Sequence, residues 1–240
     1  MTRLLVHVEG QSEETFVNEV LSEYLINRGY SSVSARIVGN SRQRERRGGI
    51  KSWTAVRDDI SRHLKGDVGC IATTMVDYYA LPATGPKAWP GREAANAVPH
   101  SQKANTVENL LALEIAQIME VPAPYIRFIP YVVMHEFEAL LFSDCQAFAA
   151  AICREDLKTA FQSIRDQFMS PEEINDSPQT APSKRIEKLI PSYEKPLLGT
   201  LAALEIGLHK MKSECPRFSH WLDRLETAAT LGIVAKATKP

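Results

Sequence analysis

Along the first 140 residues two kinds of spacing alternate. Short apolar runs give way to stretches whose apolar residues recur every three or four positions. Arg3 to Val8 is such a run, ended by a glycine, and reads as a buried strand. From Ser12 the period changes. Phe16, Val17, Val20, Leu21, Tyr24 and Leu25 fall at helical spacing, with Ser12 as the expected N-cap and Gly29 closing the helix. Glu13 and Glu14 suit the positive end of that helix dipole. "SVSARIVG" alternates like a second strand. Trp53 to Leu64 reads as a helix, and Cys70 to Asp77 as a third strand. Leu81 to Ala104, rich in Pro, Gly and Ala, reads as a long loop. Thr106 to Met119 reads as a helix. "YIRFIPYVVM" gives a fourth strand in which Pro130 marks a bend or an edge position.

Strand followed by helix, repeated, predicts an α/β fold: a parallel sheet flanked by helices. After Met134 the strands stop. Amphipathic stretches around Leu197 to Met211 and Phe218 to Thr227 predict helices, joined by the polar connector "PEEINDSPQTAPSKR". The expected organisation is an α/β domain over 1–140, a helical C-terminal extension over 141–231 packed near the active rim, and a loose tail over 232–240.

Composition narrows the class without naming a partner. The chain is 44% hydrophobic, enough for a real core, and its formal net charge of -1 argues against a chain-wide basic surface. Cys70, Cys145, Cys153 and Cys215 are scattered, which predicts neither a zinc site nor a disulfide framework. No apolar run approaches the roughly 20 residues that span a membrane, and the first strand already carries Glu9 where a signal peptide would be apolar. The expectation is a soluble, cytoplasmic protein.

The chemistry lies at the strand ends. "LLVHVE" ends in Glu9, "CIATTMVD" in Asp77 and "FIPYVVMHE" in Glu136. In an open parallel sheet the ligand site lies at the carboxyl ends of the strands. One acid there usually caps the next helix or is solvated. Three on one rim repel one another and need a positive charge. With no cysteine and no histidine pair beside them, oxygen ligation favours a hard cation, Mg²⁺ or Mn²⁺. Glu138 is the substitute for Glu136: on a helix the two point apart, on a continued strand they share a face. His135 reads as a structural group or a base, and His7 as structural. Trp53, Trp89 and Trp221 read as packing groups.

"VEGQSEETF" resembles the first motif of the TOPRIM domain, the metal-binding fold of topoisomerases, primases and the OLD-family nucleases. That pattern matches Glu9, Gly10 and Glu13, and it is the resemblance that favours Glu13 as the ligand and leaves Glu14 as the cap-supporting charge. The second motif of the family is Asp-x-Asp. Here it reads "DYY", with Asp77 in place and Tyr79 where the second aspartate belongs, so either two-metal chemistry is lost or another acid, Glu136 or Glu138, replaces it. "HEFEALLFSD", "YEKPLLGTLAALEIGL" and "CPRFSHWLDRL", taken in order with these motifs, make nearly the whole chain similar to a bacterial TOPRIM-like family, domain of unknown function 4276. The resemblance implies a TOPRIM-like (Rossmann-like) fold and Mg²⁺-dependent cleavage of phosphodiester bonds in DNA or RNA. It also implies an anti-phage effector working with an AAA-type ATPase.

A phosphodiester substrate needs cations to hold its phosphates. The candidates are the arginine loop (Arg42, Arg44, Arg46, Arg47), Lys184 after the expected cap Ser183, and Lys195. The rival reading is a degenerate module that binds nucleic acid or a partner without cutting, which Tyr79 favours. An enzyme acting on a small phosphate substrate is a third. Self-association is left open.

Overall fold

The computed structural model describes residues 1–38, 50–175 and 180–237, with only the backbone over 232–237. The arginine loop, Arg42 to Arg47, lies outside the described residues. The first strand, β1, spans Arg3–Val8, and β3 spans Cys70–Asp77, both as the apolar runs predict. The helix expected after Gly10 is present as α1 Gln11–Phe16 and α2 Ser22–Ile26, joined without a break by a π-helical turn at Val17–Leu21. Strand β2 is Ser32–Ile37 and α3 is Trp53–Gly66. Helix α4, His100–Ile118, begins six residues before the apolar period does. Its first turn is polar and largely exposed, with Ala104 the first buried residue, so no hydrophobic signal marks the start.

The sheet is parallel, in the order β2-β1-β3-β4. Pro130 breaks the edge strand into β4 Phe128–Ile129 and β5 Val132–Val133, and both pieces pair with β3 at the same offset. Side chains repair the gap. The Thr74 hydroxyl donates to the Tyr131 carbonyl at 3.0 Å and accepts from the Tyr131 N–H at 3.0 Å, while the Thr73 hydroxyl bonds the Ile129 carbonyl. Trp221 in turn donates its indole N–H to the Thr73 hydroxyl at 2.8 Å.

Each face of the sheet has its own core. On one, Ala72 and Val76 of β3 pack with α3, α4 and the buried Trp53 and Trp89. On the other, Val6, Val8 and Met75 pack with Phe16, Leu21, Phe137 and the helices that follow: α5 Cys145–Ala151, α6 Lys158–Arg165, α7 Pro182–Leu189, α8 Lys195–Glu214 and α9 Pro216–Ala237. The chain beyond residue 141 therefore supplies one layer of the sheet's own packing. Helix α8 bends at Gly207, whose φ of 75° is strained for any residue with a Cβ. Helix α9 continues to Ala237, so residues 232–237 are helical where a loose tail was expected, and 238–240 lie outside the described residues. All four cysteines are free. Among the described residues no helix is long and apolar enough to cross a membrane.

Candidate functional site

Strand order decides where the acids meet. The chain leaves β1 for β2 on one side and returns to β3 on the other, so a crevice opens at the carboxyl ends of β1 and β3. The register sets Val8 beside Met75, which brings Glu9, just past β1, to Asp77 at the end of β3. The first helical turn then carries Glu13 back over this crevice. Glu136 and Glu138 arrive from the segment after β5, where Phe137–Ser143 forms a 3₁₀ helix whose apolar side chains are buried against α8.

The five carboxylates feel one another. Burial pushes Asp77 well above the ordinary aspartate value, and Glu13, Glu9, Glu136 and Glu138 push it further. Glu9 is raised by burial and by Glu136, partly offset by the backbone N–H of Asp77. Glu13, 8% exposed, is raised by burial and by Glu9. Burial lifts Glu138 to about 7 against the pull of Lys195. Three buried oxygens of the cluster have no hydrogen-bond partner: Oε2 of Glu9, Oδ1 of Asp77 and Oε1 of Glu138.

One cation answers them. Lys195, the first residue of α8, places Nζ 3.4 Å from Glu138 Oε1 and 3.6 Å from Glu136 Oε1. Burial lowers its pKa, but Glu138 and Glu136 outweigh that and hold it above the ordinary lysine value. Lys184 does not join them. Its Nζ reaches Glu187 on its own helix at 2.5 Å and is half exposed. The helix-capping expectations also change. The N-cap of α1 is Gly10, not Ser12, and the acid that completes the cap is Glu13, not Glu14: Glu13 Oε2 accepts the Gly10 N–H at 3.0 Å. Gly10 itself has φ −144°, a conformation open to any residue, so no left-handed turn requires the glycine. Ser183 is the second residue of α7 and no cap. Its N–H and hydroxyl donate to Glu136 at 2.8 and 2.9 Å, which turns the start of that helix toward the carboxylate.

Beside the acids stands a column of rings that the sequence did not reveal. His135 is 3% exposed and stacks with Tyr79 at 5.5 Å and with His100 at 5.5 Å. Neither ring nitrogen of His135 has a partner, and burial beside His100 pushes its pKa down to about 4. His100 is the first residue of α4, the turn that hydrophobic periodicity misses. Tyr79, in the place of an acid, is 54% exposed.

The donor set suits a hard cation: all-oxygen, close enough that the four glutamates raise the pKa of Asp77, with three orphaned oxygens that a cation would satisfy. Among the described residues, however, no three His, Cys, Asp or Glu side chains are arranged to hold a metal ion as they stand. Two of the five are engaged elsewhere, Glu13 with Gly10 and Glu136 with Ser183.

A solved structure, the C-terminal region of the OLD protein of Xanthomonas campestris pv. campestris, aligns over 96% of this chain and 97% of that one, with 15% identity and a TM-score of 0.45. No curated protein matches. Residues 8–226 match the family described as Domain of unknown function (DUF4276), and the chain belongs to that family.

Proposed function

We propose that this protein is a TOPRIM-like, metal-dependent nuclease that cleaves phosphodiester bonds in DNA or RNA. The observation that carries the reading is the carboxylate rim, in which Glu9, Glu13, Asp77, Glu136 and Glu138 gather around one lysine with buried oxygens unpaired. Glu9 and Asp77 would hold Mg²⁺ or Mn²⁺, joined by Glu13 and by Glu136 or Glu138. The bound cation would polarise the scissile phosphate and activate water. Lys195 stands where it can hold a phosphate oxygen and offset charge developing on it. Lys184 is not given that role. The choice of nucleic acid as substrate rests on the resemblance of "VEGQSEETF" and Asp77 to the TOPRIM motifs. The setting, an anti-phage effector working with an AAA-type ATPase, rests on the resemblance of nearly the whole chain to the family of domain of unknown function 4276.

A second reading has its own observation. Tyr79 replaces the second acid and stacks on His135, so the rim has one fixed ligand fewer, and the module would bind nucleic acid without cutting it. One experiment separates the two. Plasmid DNA and total RNA are incubated with the protein in Mg²⁺, Mn²⁺ or EDTA, beside Glu9→Gln, with metal binding followed by calorimetry. Metal-dependent cutting lost in Glu9→Gln supports the nuclease. Binding of either polymer without cutting, and no heat with either metal, overturns it in favour of the binding module.

A further inference from the structure

At the β4–β5 break, between α4 and α9, lies a cavity of about 200 Å³. We propose that it is a second site, specific for a phosphate group. The proposal stands on this cavity alone and does not depend on the nuclease reading.

Arg217 and Arg224 fall on one face of α9, two turns apart, and both line the cavity. Arg217 spends two of its nitrogens on the protein, Nη1 on Asn105 Oδ1 at 2.5 Å and Nη2 on Glu108 Oε1 at 2.6 Å. Its Nε is buried and has no partner. Arg224 makes no hydrogen bond or ion pair among the described residues; burial holds its guanidinium below the ordinary value, and the attraction of Glu108 offsets that only in part. A half-buried arginine kept for structure alone would be paired, because desolvation of its charge goes unrepaid otherwise.

The charge balance is positive. Glu108 is the only acid lining the cavity, and its Oε1 already accepts both Arg217 and the Val132 N–H. Glu172 lies nearby but is held by the backbone N–H groups of Arg217 and Phe218 at 2.9 and 3.0 Å. His220 adds a further donor on the wall, and the buried Tyr131–Trp221 stack makes a rigid floor. The open guanidinium donors of Arg224, with the charge of Arg217 on the same wall, match the several oxygens of a phosphate better than the two of a carboxylate. The volume falls below the roughly 300 Å³ at which sites for drug-sized ligands begin, so one phosphate group fits, with little else enclosed. Its source is either free phosphate or a monoester, or a phosphate of a nucleic-acid strand. Glu136 at the rim lies five positions along the chain from Tyr131 at the cavity, at most about 18 Å.

The test is calorimetric titration of the full chain in EDTA with inorganic phosphate, with acetate as control, using wild type, Arg224→Met and Glu108→Gln. Wild type should bind phosphate in preference to acetate. Arg224→Met should weaken phosphate at least about tenfold while its melting temperature without phosphate stays close to that of wild type, because Arg224 has no hydrogen bond or ion pair to lose. Glu108→Gln keeps an acceptor for Val132 and should tighten phosphate severalfold; a purely structural cluster would not respond in that direction. Displacement of phosphate by a single-stranded oligonucleotide assigns the site to a strand, and failure to displace it assigns the site to the free anion. No phosphate heat in wild type, equal binding of acetate, or unchanged binding in both variants overturns the proposal.

Discussion

Asp59 and Asp77 are the same residue in opposite circumstances. Asp59, on α3, accepts a paired contact from Arg36, a 3.2 Å bond from Arg62, and lies 3.6 Å from the buried His7. His7 and Arg36 hold its carboxyl well below the ordinary aspartate range despite burial. Asp77 is driven well above that range, by burial and by four neighbouring glutamates. The chain is thus able to pair an acid with cations where the role is structural. At the rim it sets one lysine against five carboxylates and leaves oxygens bare. Such an arrangement costs stability in the absence of a cation, and that cost is what distinguishes a site from scaffolding.

Substituting each aspartate by asparagine should separate the two roles. On the nuclease reading, Asp77→Asn should lower cleavage about 10³-fold, the loss expected when a ligand of the cation that offsets developing charge is removed. It should leave the metal-free melting temperature unchanged or higher, since it relieves repulsion. Asp59→Asn should keep metal binding and cleavage per folded molecule. Its cost is stability, about 1–2 kcal/mol once the 47% exposure of Arg36 is allowed for, because Arg36 loses the charge of its partner. Urea unfolding measured beside the cleavage rate reads both. An Asp77→Asn protein that cuts normally, or an Asp59→Asn protein that is as stable as wild type, breaks the comparison.

The same pair predicts a two-sided pH profile. Glu9, Glu13, Asp77 and Glu138 bind protons more tightly folded than unfolded. Their penalty is absent below the ordinary carboxylate value and grows as pH rises through the folded one. For Glu138 the window runs from the ordinary glutamate value of 4.5 to about 7, worth roughly 3 kcal/mol. Asp59 works the other way: its stabilisation is present above the ordinary aspartate value and is lost as pH falls below it. In EDTA the melting temperature should therefore decline from about pH 5 toward pH 8, and Glu138→Gln should flatten that limb. Mg²⁺ at about 100 times its Kd should restore about 2.7 kcal/mol at pH 8, roughly 5–10 °C for a chain of this size. A flat alkaline limb without metal would show that the rim acids are not under strain.

What the sequence reveals here follows from what periodicity can carry. Both central strands are buried, so their apolar runs mark β1 and β3 to the residue, and the acids that end them are visible at once. The break at Pro130 is also legible, because proline cannot donate to the ladder. The partners are not. Ser183 finds Glu136 across 47 residues, and the Tyr79–His135–His100 column joins three segments that share no local pattern. The start of α4 is hidden because its first turn faces outward and leaves no apolar stripe. The roles of Glu13 and Glu14 in the cap are separated by geometry alone: a third-position carboxylate reaches back to the N-cap N–H, and only the true position of the cap, Gly10, tells which glutamate that is.

The two lysines give the finest form of the comparison. In sequence each is a cation near a helix start, and nothing local ranks them. Lys195 is half-buried between Glu136 and Glu138, so Lys195→Ala removes the rim's one counter-charge. The metal-free protein should lose about 1–2 kcal/mol at pH 8, discounted for the 35% exposure of the lysine side chain, and should lose little at pH 5, where Glu138 holds its proton. Lys184 sits on the surface with Glu187 one turn away, a pair worth less than about 0.5 kcal/mol. Lys184→Ala should therefore leave both stability and cleavage within error of wild type at either pH. A tenfold loss of cleavage in Lys184→Ala, with Lys195→Ala unaffected, would mean that the substrate phosphate approaches along α7, away from the rim, and the carboxylates would have to be reassigned with it.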